Sequence, residues 1–404
     1  QAAVALDNAL LLEAQDNLLD SFIALIARAI DAKSPYTGGH CERVPVLAKM
    51  LAGAACEADA GPFADFKLTR EEWRELHLAA WLHDCGKVTT PDYVVDKATK
   101  LETITDRIHE IRMRFEVIKR EKTITCLQQL LAGEGEPEEL QAELDKALAQ
   151  LDDDFHFIAG CNLGGESMAA GQEERIKRIA AMTWTRTLDD RAGVSQAELK
   201  RRAKQAPKTL PCTEPLLADR PDHIIEHNLP VHSADPDNPY GFKVEVPRHK
   251  YNLGEVHNLC IAKGTLTPEE RFKINDHIVQ TIVMLKSLPL PRHLQQVPDI
   301  AGGHHERMDG TGYPRRLKGE QLPMQTRMLA LADVFEALTA ADRPYKPAKT
   351  LDESIQIIWR MVQDGHLDGE VFRLFLESGV YRDYAAKYMQ PTQRGEINIA
   401  DWLG

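Results

Sequence analysis

His304-His305-Glu306-Arg307-Met308-Asp309-Gly310-Thr311-Gly312-Tyr313-Pro314 is the stretch on which the reading of the whole chain turns. Two adjacent imidazoles precede a turn-rich tail, in which glycines flank Thr311 and a Tyr-Pro pair closes the segment. Neighbouring residues on a helix point roughly 100° apart, so such a pair can serve two metal ions. The glycines let the backbone approach something closely, and Pro314 fixes the exit. Taken alone, the pair also fits a surface loop with chance histidines. Its meaning depends on partners elsewhere.

Those partners recur along the chain on segments that read as helices. Ser34-Pro35 breaks a first helical stretch, and Tyr36-Thr37-Gly38-Gly39-His40 opens the next, with His40, Val44, Leu47, Ala48 and Leu51 on one face. Pro45 should distort that helix. Thr69 and Glu72 form a capping box for a helix that carries Trp73, Leu76 and Ala80 inward. It ends in Leu82-His83-Asp84-Cys85-Gly86-Lys87, where Gly86 reads as the stop. His83 and Asp84 offer a nitrogen and a carboxylate, and a carboxylate can bridge two divalent ions. Lys87, four residues past His83, can face the same place and meet a phosphate.

Thr267, Pro268 and Glu270 mark another helix start. From it, His277 points inward with Ile274, Ile278, Thr281, Ile282 and Leu285. A helix over about 325–340 sets Asp333 among Ala330, Val334 and Ala337, a costly place for a carboxylate without a cation. Singly, each of His40, His83, Asp84, His277, His304, His305 and Asp333 passes for a satisfied core residue. Together they are too large a buried polar load without metal. Mixed imidazole and carboxylate donors suit Fe, Mn or Zn better than Ca or Mg.

Composition narrows the function class. The 404 residues can bury a large core, and the hydrophobic share of 43% and charged share of 27% are those of a globular protein. A formal net charge of −13 argues against binding DNA or RNA polymers through a basic field. The seven cysteines, Cys41, Cys56, Cys85, Cys126, Cys161, Cys212 and Cys260, form no CxxC pair and read as reduced thiols of a cytoplasmic protein. No stretch approaches the roughly 20 apolar residues of a membrane span. The chain starts at Gln1, so it reads as a fragment of something longer. Residues 1–33 carry Leu6, Leu10, Leu18, Phe22, Leu25, Ile26 and Ala29 at helical spacing, as a connector, a dimer seam, or a helix packed back on its own domain. Residues 116–250 differ from the rest: a helical hairpin broken at Gly133–Pro137, a Gly164-Gly165 turn, a basic helix around Lys200–Lys204 with Arg201-Arg202 on a solvated face, and a Pro- and Asp-rich irregular run.

The chain resembles the HD-GYP family, a branch of the HD phosphohydrolases associated with hydrolysis of cyclic di-GMP. The matching pieces are Tyr36 to His40 with Arg43-Val44, Leu82 to Lys87 with Pro91, Lys263 to Glu270 with His277, and His304 to Pro314. Asp333-Val334-Phe335-Glu336-Ala337-Leu338 and Arg343-Pro344-Tyr345-Lys346 complete them. The resemblance covers about 36–115 and 251–350. It implies an all-α HD-type helical bundle extended by GYP helices. In that division 1–33 is an N-terminal connector helix, 34–115 and 251–404 form the domain core, and 116–250 is a mostly helical or irregular insertion.

The family places its middle histidine much nearer the His-Asp pair. Lys97, Leu101 and His109 weakly echo Lys263, Leu266 and His277, but the Leu-to-His spacing of the second copy fits the family pattern, so His277 is chosen. By resemblance, His83, Asp84, His277, His304, His305 and Asp333 hold two divalent ions, Fe or Mn, with Zn, Ni or Co as alternatives. Asp84 bridges, and His40 is an outer ligand or phosphate contact. Tyr36 stands where relatives with three metals carry Glu, so two ions are expected. Lys87, Arg343 and Lys346 would meet phosphate oxygens, although one extra residue between Asp333 and Arg343 leaves the contact of Arg343 open. Tyr313 would stack on a guanine or bond to phosphate, or merely build a turn. The implied activity is cleavage of cyclic di-GMP to linear pGpG, or on to GMP, by a metal-activated hydroxide. The alternatives are another cyclic dinucleotide, such as cyclic GMP-AMP, or a signalling module whose catalysis has lapsed. A homodimer through the N-terminal helix, and a protein partner at the GYP face or insertion, complete the expectation.

Overall fold

The fold is seen in a computed structural model, which describes residues 2–32, 39–228, 231–235, 237–341 and 348–403. Helices dominate; among the described residues the only sheets are two antiparallel pairs, Thr183–Arg186 with Cys212–Pro215 and Ile224–Ile225 with Tyr251–Asn252. The chain divides into two compact units. The first comprises Gln1–Asp92, Val231–Val246 and Ile274–Gly404, and the second Tyr93–Pro230 and Pro247–Lys273.

In the first unit, apolar residues three and four apart bury one stripe of each helix. His40–Glu57 contributes Val44, Leu47, Ala48 and Leu51, all fully buried, and runs on through Pro45. Arg70–Leu82 starts at the Thr69 and Glu72 capping box. Met324–Thr339 lays Leu329, Leu331 and Phe335 into the same core, where Phe335 meets Phe375 edge to face at 4.9 Å. Leu351–Gln363, Gly369–Glu377 and Val380–Tyr388 close it.

The first helix, Ala2–Asp31, does two things. Ile23, Ala27 and Ile30 pack into the core, whereas Val4, Leu11, Leu18, Phe22 and Leu25 stay exposed. No described helix is long and apolar enough to cross a membrane.

The second unit is built on an antiparallel helix pair, Ile108–Ala132 and Pro137–Asn162, with Gly133 as left-handed cap and Pro137 opening the second helix. Its core is Ile111, Phe115, Ile118, Leu151 and Ile158; Leu127 and Leu131 lie exposed near the tip. Lys97 and Glu270 form a buried ion pair at 2.8 Å, and the Lys100 ammonium donates to the Leu259 and Ile261 carbonyls, so the chain entering this unit is stitched to the chain leaving it. Arg201 and Arg202 do not lie on a solvated face. Arg202 pairs with Asp190 at 2.8 Å and Glu198 at 2.9 Å, and Arg201 donates to the Asp222 carbonyl, because the irregular run has few backbone partners of its own.

Candidate metal centre

The first unit gathers the histidines and carboxylates into two adjoining groups. His40, His83 and Asp84 form one, and His277, His304 and His305 the other, with the potential ligand atoms of each group within 4.8 Å of one another. The His83 and His304 rings stand 4.9 Å apart edge to face, so the groups abut. Asp333, from Met324–Thr339, joins the first: its Oδ1 is 3.2 Å from His40 Nε2 and 3.7 Å from His83 Nε2.

Asp84 faces both ways. Its Oδ2 lies 3.2 Å from His83 Nε2 and 3.6 Å from His40 Nε2, while its Oδ1 lies 3.1 Å from His277 Nε2. Lys87 Nζ sits 2.5 Å from Asp84 Oδ2, with its side chain 31% exposed. His304 and His305 are not on a helix, as the 100° argument assumed. They occupy the turn after Val297–Gly302, with ring centroids 4.3 Å apart. Gly302 serves close packing just before the turn, since a Cβ there would fall 2.2 Å from the Ile282 side chain.

The chain itself sets three of these imidazoles. Nδ1 of His83 donates to the Ala80 carbonyl at 2.7 Å, that of His277 to Ile274 at 2.5 Å, and that of His304 to Ala301 at 2.7 Å. A carbonyl only accepts, so the proton is on Nδ1 and Nε2 is turned into the site. His83 Nε2, His277 Nε2 and Asp84 Oδ1 are buried without hydrogen-bond partners. Buried ligand atoms that converge without partners fit divalent metal ions.

His40 is held differently, with Nδ1 against Glu336, whose other oxygen takes Arg43 Nε at 2.6 Å. Glu336 is 1% exposed and was not singled out from the sequence. The available signal was spacing: His40 to Arg43 and Asp333 to Glu336 are both three residues apart, hence on one helix face.

Electrostatics separates the groups. Burial would lower the His40 imidazole, but Asp333, Asp84 and Glu336 hold it well above the usual histidine range. His83, likewise buried but beside Asp84 and Asp333, is raised to about 9. Burial works against the Asp84 carboxylate, yet Lys87 and His83 keep it well below its ordinary value. In the second group, burial and the neighbouring His83 push His304 down to about 4, and burial with His304 and His277 pushes His305 well below the usual range.

Gly86 serves close packing, not termination. The helix ends at Leu82, a 3₁₀ turn follows over Cys85–Thr89, and a Cβ on Gly86 would lie 1.9 Å from the His277 carbonyl. Its N–H donates to Thr281 Oγ1 at 2.9 Å. Glu306, 2% exposed, accepts from the N–H groups of Arg315 and Leu317 and shapes the loop that carries Tyr313. Tyr313 stacks on His305 at 4.9 Å. His109 is exposed on the second unit, against Arg112. Tyr36, Arg343 and Lys346 lie outside the described residues.

Residues 211–371 match the HD domain family. The match takes in His277, His304, His305 and Asp333, while His40, His83 and Asp84 precede it. The chain is 36% identical over 150 residues to a 3′3′-cGAMP-specific phosphodiesterase of Vibrio cholerae, covering 34% of this chain and 33% of that protein. It is 46% identical over 87 residues to a cyclic di-GMP phosphodiesterase of Pseudomonas aeruginosa, covering 21% and 20%. A cyclic di-GMP phosphodiesterase response regulator of Xanthomonas campestris is 31% identical over 188 residues, covering 46% and 43%. The chain thus spans between 20% and 43% of the length of these relatives. They agree with the HD-GYP resemblance read from the motifs.

Proposed function

We propose that the chain is a metal-dependent phosphodiesterase that opens cyclic di-GMP to linear pGpG, or on to GMP. The observation that carries this reading is Asp84, whose two oxygens face different histidine groups. His83, Asp84, His277, His304, His305 and Asp333 would hold two divalent ions, with His40 as an outer ligand or phosphate contact. The mixed donor set favours Fe or Mn, with Zn, Ni and Co as alternatives. Two such ions, when bound, would supply Lewis acidity and hydroxide near neutral pH for phosphodiester hydrolysis.

The protein's own groups do the rest. The Glu336 carboxylate, tied to Arg43, fixes the His40 ring. The Lys87 ammonium beside Asp84 directs positive charge to a non-bridging phosphate oxygen, and Arg343 and Lys346 are proposed to share that task. Tyr313, whose ring stacks on His305, is proposed to stack on a guanine or bond to phosphate. A second reading, hydrolysis of the mixed GMP-AMP cyclic dinucleotide, is favoured by relatives named for that substrate. Scattered cysteines suit the cytoplasm. We also propose that the exposed stripe of Ala2–Asp31 pairs two copies of the chain, and that the GYP loop or insertion takes a protein partner.

The test is turnover of both cyclic dinucleotides by protein reconstituted anaerobically with Fe(II) or Mn(II), with products separated by chromatography. Linear dinucleotide or GMP from cyclic di-GMP is expected. No product from either substrate, with two ions bound, would end the phosphodiesterase reading.

A further inference from the structure

We infer that Phe242, carried by the strap Val231–Val246, is a positioning residue for Tyr313 and so for recognition of the substrate base. The strap is flanked on both sides by chain of the second unit, yet it belongs to the first. Phe242 is 5% exposed and packs on Ile278, Val279 and Ile282, which follow His277 on the same helix. Asn238 clamps its backbone: Oδ1 accepts from the Phe242 N–H at 2.8 Å and Nδ2 donates to the Phe242 carbonyl at 3.1 Å. Tyr240 stacks on the Phe242 ring at 5.2 Å.

The next residue reaches the loop itself, since Lys243 N–H donates to the Pro314 carbonyl at 2.8 Å. Tyr313 packs against the Phe242 cluster, its ring rests on His305, and its N–H donates to the His305 carbonyl at 3.2 Å. A ring supported this way loses rotamer freedom before any ligand arrives, so a base meets a surface already set. Without Phe242 the tyrosine keeps its histidine neighbour but the apolar cluster it packs on loses its only aromatic core member.

The kinetic arm rests on the proposed cyclic dinucleotide substrate; the exchange arm does not. Phe242→Ala and Phe242→Leu are made in the full chain, and both are checked for native helix content. Amide hydrogen exchange is followed across 307–317 and, as a control, across 40–57. Faster exchange over 307–317 alone is expected in Phe242→Ala, with Phe242→Leu close to wild type. With metal loaded, Phe242→Ala should raise KM for cyclic di-GMP about tenfold, while hydrolysis of bis(p-nitrophenyl) phosphate, which has no base, changes less than about twofold.

Unchanged exchange over 307–317 overturns the inference. So does an equal fall for both substrates, which would mark Phe242 as packing alone. If wild-type protein cleaves only the nitrophenyl ester, the proposed substrate fails, and the exchange result still decides whether Phe242 holds the loop.

Discussion

The two histidine groups are neighbours with opposite characters. The first couples His40 and His83 to Asp84, Asp333 and Glu336, so its imidazoles hold protons tightly. In the second, His277, His304 and His305 face one another; burial, with His83 acting on His304 and with His304 and His277 acting on His305, pushes both imidazoles below the usual histidine range. The same side chain therefore plays two parts according to its neighbours.

Asp84 is where the comparison breaks most completely. Asp84→Ala removes the carboxylate that both groups face, and should abolish binding of both ions, which metal analysis would detect as near-zero stoichiometry. Turnover should fall by more than the roughly 10–100-fold expected of a supporting residue. Retention of one full equivalent would show that the groups bind independently. Glu336→Gln should act on one side alone. It loosens His40 and weakens the first ion roughly 10–100-fold, visible in a metal titration as one altered and one unaltered step.

The smallest effect is on stability of the metal-free protein, and it sharpens the contrast by sign. His83 is raised from 6.5 to about 9, so its stabilisation is full below 6.5 and is lost as pH rises through about 9. His304 is lowered from 6.5 to about 4, so the unfolded chain takes up the proton first, and stability is lost as pH falls from 6.5 toward 4. Melting temperatures across pH 4–10 should fall on both sides of the middle of that range. His83→Asn should flatten the alkaline limb and His304→Asn the acid limb; identical profiles for the two variants would refute the assignment.

Much of this was readable from residues. Capping boxes at Thr69 and Thr267, periodic leucines, and inward His and Asp positions are local patterns, and local patterns survive into structure. What escaped depended on contacts between distant segments. Gly86 read as a helix stop because the backbone of the His277 helix, which fills the space over it, is nearly two hundred residues away. Glu336 was not singled out because its partners His40 and Arg43 lie nearly three hundred residues away. Arg202 looked solvated although Glu198, its i,i+4 partner, lies on the same short helix; only Asp190, on the irregular run, reaches it through tertiary placement. The strap was unreadable for the same reason: Phe242 sits in a Pro-rich run with no period, and only packing on Ile278 and Ile282 gives it a purpose.

The hydrogen bonds from His83, His277 and His304 to carbonyls three residues behind them bear on how such a protein can evolve. Each ligand travels with its own aiming device, contained within four consecutive residues. Chain can then be spliced between those short cassettes without resetting the direction of any imidazole. More than 180 residues separate Asp92 from Ile274, and only a strap of that length groups with the first unit. Locally self-sufficient imidazoles make the scaffold tolerant of added chain, so a lineage can acquire a new module while the candidate metal centre stays where it was.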